Sequence, residues 1–272
     1  MPTISLITAV LAGRDDHLTQ TWNSIATQQL PPGWDWQWVV QEDGETGSPA
    51  TRIPTNHPQI TYATGPRGRA AAARTLALDH VNGVFVRGLD ADDQLTPGAL
   101  TRDIEALTSN HVGWVVSPAL DLLEDGQIRR GPRDPETGPL PDNCLRDGEG
   151  AGLLPVLGIT ATTYTSLVHA LGGWPALPVG QDVALLLALE AVAPGWMLGE
   201  PSILYRRWPK QTTATRDASQ PVINTPGMRS IGLARADALR HLQWDWTKIT
   251  TVNTAAPPGA SGDQGSIATL GR

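Results

Sequence analysis

The sequence is poor in several residue types that carry common site chemistries. Its single cysteine, Cys144, excludes an intramolecular disulfide and a cysteine-based metal site. Only Lys210 and Lys248 among the 20 basic residues are lysines, and a net charge of −7 comes with no basic run. A nucleic-acid surface needs clustered cations, so DNA or RNA is excluded as a main partner. The arginine skew is expected of a GC-rich genome more than of bidentate anion sites. No stretch approaches the roughly 18 uncharged apolar residues of a membrane span. The opening "MPTISLITAVLAGRDD" has no basic leader, and its apolar run meets Asp by position 15. It is expected to be a first strand, not a signal peptide. These absences leave a cytoplasmic soluble protein, long enough at 272 residues for one large domain or two small ones.

What is present alternates. "TISLITAV" (3–10) is a β-branched apolar run without polar alternation, the pattern of a strand buried on both faces. "DDHLTQTWNSIATQQL" spaces Leu18, Trp22, Ile25 and Ala26 as a helix does, and Pro31 and Pro32 stop it. Further strands are expected at 34–41, 59–64, 83–89 and 112–123, with helices at 67–81 and 96–107, the latter capped by Thr96 with Pro97 in its first turn. Strand and helix in turn indicate an α/β fold with a mainly parallel sheet. Residues 124–157 are Pro- and Gly-rich without periodicity and are expected to be a long functional loop. A buried helix at 180–192, a strand at 202–208 and an amphipathic helix at 228–242 follow. The tail 251–272 is small, polar and expected to be disordered.

Two expected strand ends carry acid: "VVQEDG" places Glu42 and Asp43, and "GLDADDQL" places Asp90, Asp92 and Asp93. Ligands of open α/β sheets bind at such ends. Two carboxylates about 4 Å apart repel by about 4 kcal/mol at an effective dielectric of 20, a large share of a domain's net stability of about 5–15 kcal/mol. Either they point apart into water or a cation and polar ligand lie between them. A calcium EF-hand fails, because "DADDQLTPGALT" has Leu95 and Thr101 where glycine and glutamate belong. A phosphatase of the haloacid dehalogenase type needs a lysine before a second acidic cluster, and neither lysine stands there. The remaining chemistry is a nucleotide-sugar transferase, in which D-x-D holds a divalent metal against a leaving diphosphate.

The segments "ISLITAV", "WQWVVQEDGETG", "GPRGRAAAARTLAL", "VFVRGLDADDQLTPGAL", "LGGWPALPVGQDVALL" and "LYRRWPKQTT" occur in an order and spacing that resemble family 2 glycosyltransferases of GT-A fold. The resemblance implies a Rossmann-like GT-A architecture over residues 1–216: a mainly parallel central sheet flanked by helices. Within it, 124–157 is a variable acceptor-side loop, and 217–250 is a helical extension of the same domain. It further implies an inverting hexosyl- or pentosyltransferase that passes one sugar from a nucleoside-diphosphate sugar, most expectedly UDP-linked, to a small-molecule, soluble or glycan acceptor. By resemblance, Thr8, Ala9, Glu42, Asp43, Arg74, Asp90, Ala91 and Asp92 bind this donor. Asp43 would contact the base, Arg74 the base or diphosphate, and Asp90 the ribose or sugar. Asp92, with Asp90, would ligate Mg²⁺ or Mn²⁺. A strand-end carboxylate accepts the imide N–H of uracil or the N–H edge of guanine alike, so Asp43 does not choose between UDP and GDP.

Asp182 in "GQDVALL" matches the family's general base, and Trp174 and Gln181 stand on the acceptor side, Trp174 as an apolar platform for a sugar ring. The other reading of Asp182 is a helix N-cap. Arg67 and Arg69 precede a helix where phosphate is favoured, and Arg206, Arg207 and Lys210 could assist the diphosphate. Asp93 is expected only to order its turn. Four departures stand out: Glu42 for Asp, Thr75 for Asn, Gln181 for Glu, and Trp208 where many relatives place a metal-binding histidine. Without a charged neighbour at 181, Asp182 is expected near its ordinary carboxylate value. Two alternatives remain. A nucleotidyltransferase would need a Gly-rich basic loop after the first strand, which "TAVLAGRDD" matches poorly. A non-catalytic nucleotide-sugar-binding protein on a degenerate GT-A fold would fit Gln181 and Trp208.

Overall fold

The apolar runs of the first half lie side by side, as strands without polar alternation must to bury both faces. The computed structural model describes residues 1–130, 134–209, 211 and 226–250. In chain order, β1 (Thr3–Val10), α1 (Leu18–Ala26), β2 (Asp35–Glu42), β3 (Ile60–Ala63), α2 (Arg69–Ala77) and β4 (Phe85–Gly88) build a parallel half-sheet in the order β3-β2-β1-β4. Next come β5 (Gln94–Leu95), α3 (Ala99–Ser109), β6 (Trp114–Val116), β7 (Ala119–Leu122), β8 (Ile128–Arg130), β9 (Gly138–Pro139) and α4 (Cys144–Gly150). The chain continues through β10 (Thr162–Tyr164), α5 (Thr165–Ala170), α6 (Gln181–Val192), β11 (Gly195–Met197), β12 (Ile203–Arg206), α7 (Pro226–His241) and α8 (Trp246–Thr250). The main sheet extends beyond β4 as β10-β6-β11-β9, with β10 antiparallel to both its neighbours. A small second sheet has the order β5-β12-β7-β8.

Alternate residues of β1 and β2 face two cores. Ile4, Leu6, Val10, Trp36, Trp38 and Val40 pack with α1 and α3. Ile7 and Val39 pack with α2, α5 and α6 on the other face. The result is a three-layer α/β/α arrangement. In α6, "ALLLAL" is buried all round, as its continuous apolar character requires. No helix among the described residues is long and apolar enough to cross a membrane.

Three expectations are corrected. The run 112–123 is not one strand: Pro118, without an N–H to donate, separates β6 in the main sheet from β7 in the second. Residues 124–157 are not a structureless loop, for β8, β9 and α4 lie there. Thr96 is not the cap of α3. The N-cap is Gly98, with φ 70°, while the Thr96 hydroxyl donates to the Pro201 carbonyl at 2.6 Å. The tail 251–272 and residues 217–225 lie outside the described residues.

Candidate active site

The parallel register brings both acidic strand ends to one edge of the sheet. Val10 pairs with Glu42 and Ile7 with Gly88, and the ladder runs on into the loops through Asp43 N–H to Val10 (2.7 Å) and Leu89 N–H to Ile7 (2.9 Å). Asp43 is buried and its Oδ1 accepts the N–H groups of Gly68 (2.7 Å) and Arg69 (2.9 Å), which fastens the start of α2 to the end of β2. Arg69 is held there at φ 67°, a region that favours glycine. Its side chain and that of Arg67 are exposed.

Glu42 is engaged within the protein. It accepts the Tyr62 hydroxyl (2.6 Å), the Thr46 hydroxyl (2.7 Å) and the N–H groups of Thr46 and Gly47. Burial alone would raise its carboxyl, but these donors hold it below the usual range. The same pairing pushes the Tyr62 phenol well above its ordinary value, through burial first and Glu42 second. Thr8 does not reach the cleft: it is fully buried, its Oγ1 accepts Trp38 Nε1–H at 2.9 Å, and it faces the α1 layer. Ala9 and Ala91 are partly exposed at the same sheet edge.

The D-x-D turn follows β4. Asp90, Asp92 and Asp93 offer carboxylate oxygens within 4.8 Å of one another. Asp93 does more than order a turn. It is fully buried, and its Oδ1 accepts the Arg206 N–H (2.8 Å), tying the turn to the end of β12. Its Oδ2 is buried with no hydrogen-bond partner. Burial, then Asp90 and Asp92, raises the Asp93 carboxyl well above the ordinary range, and burial with Asp90 raises that of Asp92. Three carboxylates this close could together hold a hard divalent cation. Trp208 reaches into this cluster, its Nε1–H donating to Asp92 Oδ2 at 2.6 Å, with His17 edge-on against its ring. Arg206 is turned onto the Asp92 carbonyl and Gln20, and Arg207 onto Asp121, so neither guanidinium points freely at the turn. Lys210 lies outside the described residues.

Asp182 sits in the first turn of α6. Gly180, at φ 73°, occupies the N-cap position, which sets the capping role for Asp182 aside. Its Oδ1 accepts Arg74 (2.9 Å) and Trp174 Nε1–H (2.9 Å), and its Oδ2 accepts Arg74 (3.1 Å) and, weakly, Gln181 (3.4 Å). The carboxyl is not at its ordinary value. Burial raises it, Arg74 opposes, and Asp90 adds to the rise. Trp174, expected to offer a ring face to a sugar, is 6% exposed and directs its indole N–H at Asp182. Arg74, expected on the nucleotide, is buried between Asp182 and Asp90. The structure therefore gathers Asp90, Asp92, Arg74, Trp174, Gln181 and Asp182 at one edge. It adds Tyr62, which no sequence motif signalled, and gives Asp93 and Arg206 a shared contact across 113 residues in place of the separate roles expected of them.

The D-x-D turn after β4 and Asp182 at the start of α6 thus meet through Arg74 at one edge of a sheet whose parallel half is extended by antiparallel β10. The profile of Glycosyl transferase family 2 matches residues 7–149, just over half of the chain, and the chain belongs to that family. Its fold is similar to that of the GT-A enzyme TarS of S. aureus. TarS 1–349 in complex with UDP-GlcNAc matches with a TM-score of 0.65 at 16% identity, over 88% of this chain and 70% of that one. TarS 1–349 in complex with UDP matches at 0.63 and 17%, over 91% and 73%. A longer TarS structure matches at 0.62 and 17%, and the chain spans 45% of it. No curated protein matches the sequence. Family membership favours glycosyl transfer over nucleotidyl transfer.

Proposed function

We propose that this protein is an inverting glycosyltransferase that moves one sugar from a nucleoside-diphosphate sugar to a small-molecule, soluble or glycan acceptor in the cytoplasm. The observation that carries the reading is the single network in which Arg74 joins the D-x-D acid Asp90 to Asp182. UDP is the favoured nucleotide, because the similar TarS structures hold UDP-GlcNAc and UDP. Asp92 and Asp90, beside Asp93, would hold Mg²⁺ or Mn²⁺. Such an ion, when bound, stabilises the negative charge of the leaving diphosphate. Asp43, directly after β2, would take the N–H edge of the base.

Asp182 is the general base. As the acceptor oxygen bonds to the anomeric carbon, the bond from that carbon to the β-phosphate oxygen breaks on the opposite face. The acceptor's proton passes to Asp182, and the electron pair leaves with the diphosphate. Burial favours the protonated product of that step, while Arg74 and the Trp174 N–H keep the starting carboxylate ionised and oriented. Acceptor selection is assigned to the stretch 124–157 and the region beyond Trp208.

The test is thermal stabilisation by UDP, GDP and dTDP with and without Mn²⁺, followed by turnover of wild type, Asp92→Ala and Asp182→Asn. UDP is expected to stabilise wild type strongly, Asp182→Asn less, and Asp92→Ala least. Asp182→Asn should lose about 10²–10⁴-fold in turnover while UDP binding persists. Lack of stabilisation by any nucleotide would overturn the transferase reading, and full turnover in Asp182→Asn would overturn only the base.

A further inference from the structure

Arg74 sits near the end of α2 with 2% of its surface exposed, yet it bonds to no other residue of that helix through its side chain. One terminal nitrogen donates to both oxygens of Asp182, and the other donates to Asp90 Oδ1. Its Nε is buried without a partner, so burial of this cation is compensated at the two acids alone. A guanidinium is a rigid planar fork, and with both arms occupied it fixes the separation and mutual orientation of the two carboxylates. Those come from different elements, the turn after β4 and the first turn of α6.

The next residue of α2 acts on the same group by another path. Thr75 Oγ1 donates to the Trp174 carbonyl (3.2 Å) and accepts the Trp174 N–H (3.1 Å), and Trp174 donates its indole N–H to Asp182. Gly173, at φ +76°, approaches Thr75 so closely that a Cβ there would lie 2.8 Å from Oγ1. The Trp174 backbone is thereby seated on α2. Asp182 is held from two directions by consecutive residues of one helix, and only Arg74 also touches the D-x-D turn.

We infer that Arg74 is a positioning residue that couples the donor-side acid Asp90 to the base Asp182, so that occupation of the nucleotide site and alignment of the base are one event. The inference rests on the transferase reading for the roles of the two acids, but the bridge itself is independent of that reading. Coupling through a shared partner is reciprocal: a change at Asp182 must be felt by a nucleotide that it does not touch.

Two measurements test it. The first is a stability cycle without nucleotide, in which Asp90→Asn, Asp182→Asn and the double variant are unfolded in urea, each with Arg74 and with Arg74→Met. With Arg74 the double variant should lose more than the sum of the singles, because the buried cation then keeps no anionic partner. With Arg74→Met that excess should vanish. Additive losses with Arg74 present would overturn the bridge. The second is UDP binding in Mn²⁺ by calorimetry. Asp182→Asn should shift the Kd by about fivefold or more with Arg74, and by less than about twofold with Arg74→Met. Equal shifts in both backgrounds would overturn the coupling. Arg74→Lys keeps the charge but cannot span both acids, so it should fold like wild type and behave like Arg74→Met in the binding cycle. If UDP, GDP and dTDP all fail to bind, the transferase reading fails, and the urea cycle still decides whether Arg74 bridges the acids.

Discussion

Trp208 stands where many family 2 relatives place a metal-binding histidine, and it offers the opposite chemistry. An imidazole nitrogen can donate a lone pair to a cation, whereas an indole N–H can only donate its proton. The Trp208 N–H already occupies Asp92 Oδ2 at 2.6 Å, so a cation reaching that oxygen competes with it. Trp208→His is expected to tighten Mn²⁺ binding by on the order of tenfold, read by electron paramagnetic resonance of free Mn²⁺ with UDP present. Unchanged affinity would show that Asp92 is not a ligand through that oxygen. The D-x-D turn, the "EDG" turn and Asp182 were legible because their signal is local: acid directly after an apolar run, or at a helix start. The partners of Arg74 were not. Its ion pair with Asp182 joins residues 108 apart, and no local pattern encodes such a pairing. The family resemblance put Arg74 on the nucleotide, and an arginine on an Ala-rich helix gives no sign of its own of which anion it meets.

At the scale of elements, β4 carries a second buried arginine, and this one holds the fold. Arg87 donates to Asp103 of α3 at 2.6 Å and to the Ser202 hydroxyl at 3.1 Å, and Asp103 also accepts the Thr162 hydroxyl of β10 at 2.7 Å. Both ends of the pair are fully buried. Breaking it with Asp103→Ala should cost about 3–5 kcal/mol in urea unfolding, because an unpaired buried cation remains. The double variant Arg87→Met/Asp103→Leu should recover most of that loss. Elements encoded by a local apolar run or by helix propensity (β1, β2, α2, α6) were legible to within a few residues. Those between residues 124 and 157 were not, because their order is imposed from elsewhere. The first turn of α4 is satisfied by Glu190 of α6, which accepts the N–H groups of Leu145 (2.7 Å) and Arg146 (3.0 Å), while Arg146 pairs with Asp237 of α7. Nothing in a Pro- and Gly-rich stretch announces a cap that lies on another helix.

For the molecule as a whole, the burial of acid sets the response to pH. Burial raises the carboxyls of Asp92, Asp93, Asp103, Asp182 and Glu190. Each then binds its proton more tightly folded than unfolded, so stability falls as pH rises from the ordinary carboxylate range through the raised values. Glu42 and Asp237 are lowered and act in the opposite sense, losing their contribution as pH falls below the ordinary range. In thermal melts without nucleotide or cation the midpoint should therefore fall as pH rises above the ordinary carboxylate range. A midpoint that climbs steadily to pH 8 would contradict this. The class of fold was legible from the alternation of strand and helix, but the second sheet was not, since its strands are only two to four residues long.

The place of β10 also governs how the chain can assemble. This strand, at residues 162–164, fills the gap between β4 and β6, which lie earlier in the chain. Until it arrives, the first four strands can pair among themselves, but β4 keeps an open edge and β6 has no neighbour on that side. Sheet closure is thus a late, long-range step. It is the stage at which an emerging chain is most exposed to edge-to-edge aggregation.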